Sequence, residues 1–209
     1  MTLDLNEVER LAARGDVIAY FGYGSLVNPA THRTEIVGYV KAGLCGWRRE
    51  WKSRGTDHVG SHPVALLSSS PHSDNAILPG LLVFDHAANL PALDIREAGY
   101  DRRELTAADL DIATPVPAGC PIYVYEGQPQ PDSNRSNVIL QSYLDAVLQG
   151  YFVMYGAEGV DGFVRSTARF DTPLLRDRET PNYPRAVTLT HEERDLIDRA
   201  TAALSFIDA

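Results

Sequence analysis

Glu97 lies in HAANLPALDIREAGYDRREL, residues 86–105. Asn89 suits the cap of a short helix there, Pro91 fits its first turn and Gly99 its end. On that helix Leu93 and Glu97 are four apart and share a face, which Leu90 and Tyr100 extend at either end, while Asp94 and Arg96 project elsewhere. One carboxylate therefore stands on the stripe that should meet the core. A carboxylate that leaves water unpaired costs several kcal/mol and is pushed towards its protonated form. Such a group is a candidate general base. The same spacing also allows a glutamate at the helix end that leans out to pair with Arg102 or Arg103.

YFGYGSL, residues 20–26, follows the apolar Val17-Ile18-Ala19 and predicts a strand breaking into a tight turn. Valine at 27 breaks the GxGxxG pattern, GxxxxGK[ST] is absent, and Leu26-Val27 after Ser25 rules out a nucleophile elbow. Gly24 lets a ligand approach backbone with no Cβ in the way, so the turn suits a backbone cradle better than a serine nucleophile. In WRREWKSRGTDH, residues 47–58, Trp47 and Trp51 alternate with Arg48, Arg49 and Arg54. This is either an amphipathic edge strand with its charges outward or a basic wall beside a site for a small anion. His58 and His62 flank Gly60 in a loop, and two histidines alone make a poor zinc site. No metal is expected.

These residues need elements to hold them. Residues 6–14 suit a short helix capped by Asn6 and ended by Gly15. Val17–Phe21, Val37–Val40, Val64–Leu67, Leu81–Phe84 and Pro121–Tyr125 are strand-like runs cut by Gly, Pro, Ser and Asp. GQPQPDSNRS, 127–136, is a polar loop. Then Asn137–Gly156 carries Leu140, Leu144, Val147 and Tyr151 at helical spacing, 159–169 suits a second helix, and Thr190-His-Glu-Glu193 is a capping box for a helix burying Leu196, Ile197, Ala200 and Leu204. A β-rich body followed by a helical last third is α+β, not a regular βαβ alternation.

The 209 residues, 44% hydrophobic and 22% charged, fit a globular protein of one domain or of one domain with an elaboration. A net charge of −9 with no basic run argues against nucleic acid or an anionic membrane as partner. Cys45 and Cys120 stand alone and read as reduced thiols. The acidic start is no signal peptide and no apolar run reaches a membrane span, so the expected location is the cytoplasm.

Taken together, YFGYGSL, GYV at 38–40, WRREWKSRGTDHVG at 47–60 and LDIREAGYDRREL at 93–105 resemble the γ-glutamylcyclotransferases, in the order of the ChaC-like, glutathione-specific branch. The resemblance implies a small mixed α/β barrel, and the chain reads as one domain over 1–209 with 127–209 as a helical elaboration packed on it. It implies a lyase-type cyclotransferase in which the α-amine of a γ-glutamyl compound attacks its own γ-amide carbonyl and releases 5-oxoproline. Glu97 matches the catalytic glutamate. Tyr23, Gly24, Ser25 and Leu26 match the loop that holds the γ-glutamyl group, and Tyr100 matches a tyrosine often found after the glutamate. No cofactor is implied. Residues 127–209, including DRETPNYPRA at 177–186, depart from the shorter ChaC-like chains, which leaves the substrate as glutathione or another γ-glutamyl compound. Two alternatives stay open: an enzyme on this fold acting on a γ-glutamylamine or an acylated metabolite, and a non-catalytic small-molecule binding protein.

Overall fold

The computed structural model describes residues 3–74, 76–128 and 137–208. In chain order these form α1 (Leu5–Ala12), β1 (Val17–Gly22), β2 (Ile36–Cys45), β3 (Trp47–Val59), β4 (His62–Pro71), β5 (Ile77–His86), α2 (Leu90–Arg96), β6 (Tyr100–Leu105), β7 (Leu110–Asp111), β8 (Ile122–Gly127), β9 (Ile139–Leu140), α3 (Gln141–Ser166), β10 (Thr167–Ala168), β11 (Leu174–Arg176), α4 (His191–Ala200) and β12 (Phe206–Asp208). The α+β class and the helical last third hold. The chain divides into two compact units. The first comprises Met1–Leu26, His32–Arg48 and Ser69–Gln128, and the second Val27–Thr31, Arg49–Ser68 and Pro129–Ala209. No described helix is long and apolar enough to cross a membrane.

The first unit is built on a mixed sheet in the order β6-β8-β1-β5-β2-β7. β1 runs parallel to β8 and antiparallel to β5. All six residues of β1 are buried, as expected of the continuous apolar run VIAYFG in the interior of a sheet. β1 thus delivers its last residue, Gly22, to a protected place. The cap of α1 lies two residues earlier than expected: Asp4, not Asn6, accepts from the Asn6 and Glu7 N–H groups. The aspartate one step before the first turn satisfies those orphan donors, so Asn6 is inside the helix.

In the second unit β3 lies between β10 and β4, so the WRREW strand is central and not an edge. Its Arg49 is fully buried and is no wall for an anion. It donates to the Tyr151 hydroxyl and to Ser166 Oγ at 2.9 Å, and its guanidinium carbon sits 4.2 Å from the centre of the Phe163 ring. The side chain of Arg54 lies outside the described residues, as does nearly all of the expected loop 127–136. The expected loop around His58 and His62 is a hairpin, with β3 ending at Val59 and β4 starting at His62.

α3 starts four residues later than the apolar spacing suggests. Val138 and Ile139 are fully buried in extended pairing, Val138 opposite Val64 and Ile139 opposite Leu174. Gly156, with φ 69° and ψ −166°, breaks the helix in its middle, a backbone state that suits glycine. The expected stop and second helix are therefore two segments of one element, ending at Ser166. α4 has its capping box at Thr190 and Glu193 and buries Ile197, while Leu204 falls beyond its end.

Residues 177–186 are tied to the start of α3. Asp177 is 3% exposed and accepts from Ser142 N and Ser142 Oγ, each at 2.7 Å, and from Asn182 N at 3.0 Å. The helix lacks a capping side chain at Leu140, and Asp177 supplies the acceptor from elsewhere in the chain. A cleft of about 560 Å³ opens in this unit, lined by Gln141, Arg176, Arg178, Thr180, Asp198 and Phe206 among others.

Candidate active site

The turn after β1 folds back on the strand that feeds it. A Cβ placed on Gly22 would lie 2.8 Å from Leu26 Cβ and 3.0 Å from the Leu26 carbonyl carbon. Facing it, a Cβ on Gly80 of β5 would lie 2.2 Å from the Gly22 oxygen. Chain thus packs closely on chain at Gly22, and Gly24 is buried in the bend that follows. Tyr23 is buried and its hydroxyl donates to the Tyr125 carbonyl at 2.5 Å, which clamps the turn to β8. Ser25 and Leu26 begin a short 3-10 turn.

Leu26 is fixed through its carbonyl, which meets His32 Nε2 at 3.1 Å, while His32 Nδ1 meets the Tyr20 hydroxyl at 3.2 Å. Burial lowers the His32 pKa to about 4, with the hydrogen bond to Leu26 opposing and the Arg96 charge adding to the fall. The ring is therefore neutral at neutral pH. A carbonyl only accepts, so the partners assign the proton to Nε2 and leave Nδ1 to accept from Tyr20. Burial, the Asp85 charge and the Glu97 charge hold the Tyr20 phenol above its ordinary pKa, against Arg96, so it too stays neutral.

α2 brings the carboxylate. Leu93 is its buried residue. Asn89 precedes the helix but does not cap it. Its amide instead donates to Asp85 Oδ1 at 2.7 Å and to the Glu35 carbonyl at 3.2 Å, because Asp85 is buried at the end of β5 and needs donors. Burial raises the Asp85 carboxyl pKa, with the bonds from Asn89 and from the His86 N–H opposing. On the other flank Asp94 accepts from the Tyr125 hydroxyl at 2.7 Å and from Arg102 at 2.5 Å. Tyr125 thus braces both arms of the site, the turn through its carbonyl and the helix through its hydroxyl.

Glu97 does not share the Leu93 stripe as a helical residue. It is the C-cap, with φ −96° and ψ 26°. Its N–H donates to the Leu93 carbonyl at 2.9 Å and its carbonyl accepts from Tyr100 N–H at 3.0 Å, so its backbone is held on both sides. Leaving helical geometry turns the side chain back to its neighbour. Arg96 Nε donates to Glu97 Oε1 at 3.0 Å, and Arg96 Nη2 donates to Ser25 Oγ at 3.2 Å. The Arg96 and Glu97 side chains are 9% and 14% exposed, so most of this ion pair is out of water. The expected direction of Arg96, away from the site, is corrected. So is the alternative pairing of the glutamate, since Arg102 bonds Asp94 and Arg103 bonds Glu126 at 2.9 Å. Tyr100, half-buried, opens β6 opposite Gly127.

Tyr23, Gly24, Ser25, Leu26 and Glu97 therefore belong to one neighbourhood of one unit, joined through Arg96 and Tyr125. A protected carboxylate beside a guanidinium, facing a turn with a hydroxyl, can move protons and bind a zwitterion. Sequence reasoning missed Arg96, Tyr125, Tyr20 and His32. For Arg96 the signal was its adjacency to Glu97 near a glycine stop, where helical periodicity ceases to apply. For Tyr125 it was the alternation of PIYVYEG, which puts Tyr123 and Tyr125 on one side of a strand without saying what lies there.

No protein-family model and no curated protein matches the chain. Among solved structures it is similar to YkqA from Bacillus subtilis, with 17% identity and a TM-score of 0.50 over 78% of this chain and 58% of that one, a likeness that shows a shared fold. It is also similar to a structure titled gamma-glutamyl cyclotransferase, with 15% identity and a TM-score of 0.49 over 88% of this chain and 99% of that one. A yeast gamma-glutamyl cyclotransferase specific to glutathione aligns with 15% identity and a TM-score of 0.40, over 89% of this chain and 98% of that one.

Proposed function

We propose that this protein is a γ-glutamylcyclotransferase that converts glutathione or another γ-glutamyl compound to 5-oxoproline and a free amine. The observation that carries the reading is the bridge from Glu97 through Arg96 to Ser25, which joins the one protected carboxylate of α2 to the turn of YFGYGSL. The ordered motifs described above supply the reaction class.

In this reading the Glu97 carboxylate takes a proton from the substrate's α-ammonium group. A carboxylate has about four lone-pair sites, so a hydrogen bond from Arg96 does not prevent it from accepting another. The freed α-nitrogen attacks the γ-carbonyl carbon of the same molecule. The new bond is that nitrogen to the γ-carbon, and the bond that breaks joins the γ-carbon to the departing nitrogen. Glu97 delivers its proton to that departing nitrogen, then takes the second proton that the ring nitrogen sheds and passes it to the freed amine. Overall the α-nitrogen goes from three protons to one, and an alkylamine leaving group goes from one to three. No oxidant, reductant or water is consumed. Holding the substrate folded back supplies much of the rate, because the nucleophile is already in the molecule. Backbone N–H groups of Gly24–Leu26 serve the developing oxyanion or the α-carboxylate.

The experiment is 5-oxoproline release from a panel of glutathione, γ-glutamyl amino acids and γ-glutamylamines. Turnover of at least one member, lost by about a hundredfold or more in Glu97→Gln with melting unchanged, is expected. An inert wild type across the panel, or a fully active Glu97→Gln, overturns the reading.

A further inference from the structure

We infer that Arg96 is a positioning residue that makes protonated Glu97 an effective donor to the departing nitrogen. The inference rests on the cyclotransferase reading and adds a role that the reaction alone does not assign. Its basis is geometric. The Arg96 side chain is 9% exposed and donates from Nε to Glu97 Oε1 at 3.0 Å and from Nη2 to Ser25 Oγ at 3.2 Å. Glu97 is itself pinned through its N–H to Leu93 and its carbonyl to Tyr100. The Arg96 cation is therefore fixed between the carboxylate and the turn.

A cation in contact favours the ionised carboxylate. The protonated form is then the stronger acid and gives up its proton more readily. That helps only the second half of the reaction. A departing alkylamine nitrogen cannot leave without a proton, whereas a p-nitroaniline nitrogen, stabilised by its ring, depends on proton delivery far less. Loss of Arg96 must therefore be felt unequally by two substrates that share a γ-glutamyl group and differ in the leaving amine.

The test compares γ-glutamyl-p-nitroanilide with a γ-glutamyl alkylamide, using wild type, Arg96→Gln, Arg96→Lys and Glu97→Gln, each checked for cooperative melting. Arg96→Gln should lose about tenfold more kcat/KM on the alkylamide than on the anilide. The acid limb of its kcat/KM profile should move to higher pH, because the carboxylate has lost the cation that kept it ionised. Arg96→Lys keeps a positive charge and should hold the wild-type ratio of the two substrates to within about threefold. Equal losses on both substrates, an acid limb that stays in place, or a ratio in Arg96→Lys displaced as far as in Arg96→Gln overturns the inference. If wild type is inert on both substrates, or Glu97→Gln is fully active, the cyclotransferase reading falls and this inference with it. An active wild type and an inactive Glu97→Gln with equal Arg96→Gln losses remove this inference alone.

Discussion

Glu97 and Ser25 meet on a single guanidinium, the carboxylate at 3.0 Å from Arg96 Nε and the hydroxyl at 3.2 Å from Arg96 Nη2. The two residues lie far apart in the chain, one at the end of a helix and the other in the turn after β1. Serine Oγ accepts from a cation here, a setting that draws electron density away from it and favours a binding role over a nucleophilic one.

The first prediction concerns the fit of turn to strand. Gly22→Ala brings a Cβ to within 2.8 Å of Leu26 Cβ and 3.0 Å of the Leu26 backbone, and backbone cannot give way as a flexible side chain does. Overpacking of this kind costs about 1–3 kcal/mol. The turn should shift and, on the proposed cyclotransferase function, 5-oxoproline release should fall at least about tenfold, since small displacements of positioning groups cost that much or more. Chemical denaturation and turnover together check it, and a variant with wild-type values in both contradicts the close approach.

Tyr23 and Tyr125 should differ in a set direction. Tyr23→Phe leaves the Tyr125 carbonyl without its donor in a buried place, at a cost of about 1–3 kcal/mol. Tyr125→Phe keeps that carbonyl bond and loses the hydroxyl's bonds with Asp94 and Arg102, whose side chains are 44% and 34% exposed and can turn to water. Its cost should be about 0.5–1.5 kcal/mol. Urea denaturation of the two variants measures the order, and a larger loss in Tyr125→Phe reverses it.

His32 should make the fold acid-sensitive. Its pKa is about 4 in the folded chain and 6.5 when free. Between those values the unfolded chain binds a proton that the folded chain does not, so stability is retained above pH about 6.5 and falls as the pH drops towards 4. The largest possible loss is about 3 kcal/mol. Asp85 acts in the opposite sense, since burial raises its carboxyl and acid favours its folded, protonated form. Subtracting the stability profile of His32→Gln from that of the wild type isolates the histidine. The wild type should lose more stability than the variant over this window, and parallel profiles would count against the buried neutral ring.

In the second unit Asp177→Ala removes the acceptor of Ser142 N and Asn182 N together. The buried Ser142 N–H left unpaired should cost about 1–3 kcal/mol, with the more exposed Asn182 N–H able to turn to water. Amide exchange at Ser142 and Asn182 should quicken well beyond that at Ile197 in α4. Unchanged protection at both amides would show that another acceptor takes over.

Much of this protein was written in local patterns. The apolar run VIAYFG, the capping box at Thr190, and the glycines that end α1 and α2 act over a few residues, where backbone sterics and hydrogen bonding to the nearest neighbours decide the outcome. Glu97 and the 20–26 turn were legible as candidates for the same reason, since residue type and spacing state what chemistry is affordable. Tertiary structure alone decided the rest. Asn89 turned from capping to Asp85, because a buried carboxylate takes whichever donors the fold brings near. Arg49 went inward between aromatic rings, because β3 is the middle strand of its sheet. Arg96 reached Glu97 because the glutamate sits just past the last helical turn, where periodicity no longer says which way a side chain points. The partnership of Glu97, Arg96 and Ser25 depends on a contact between segments distant in sequence, and only the closing of the chain creates it.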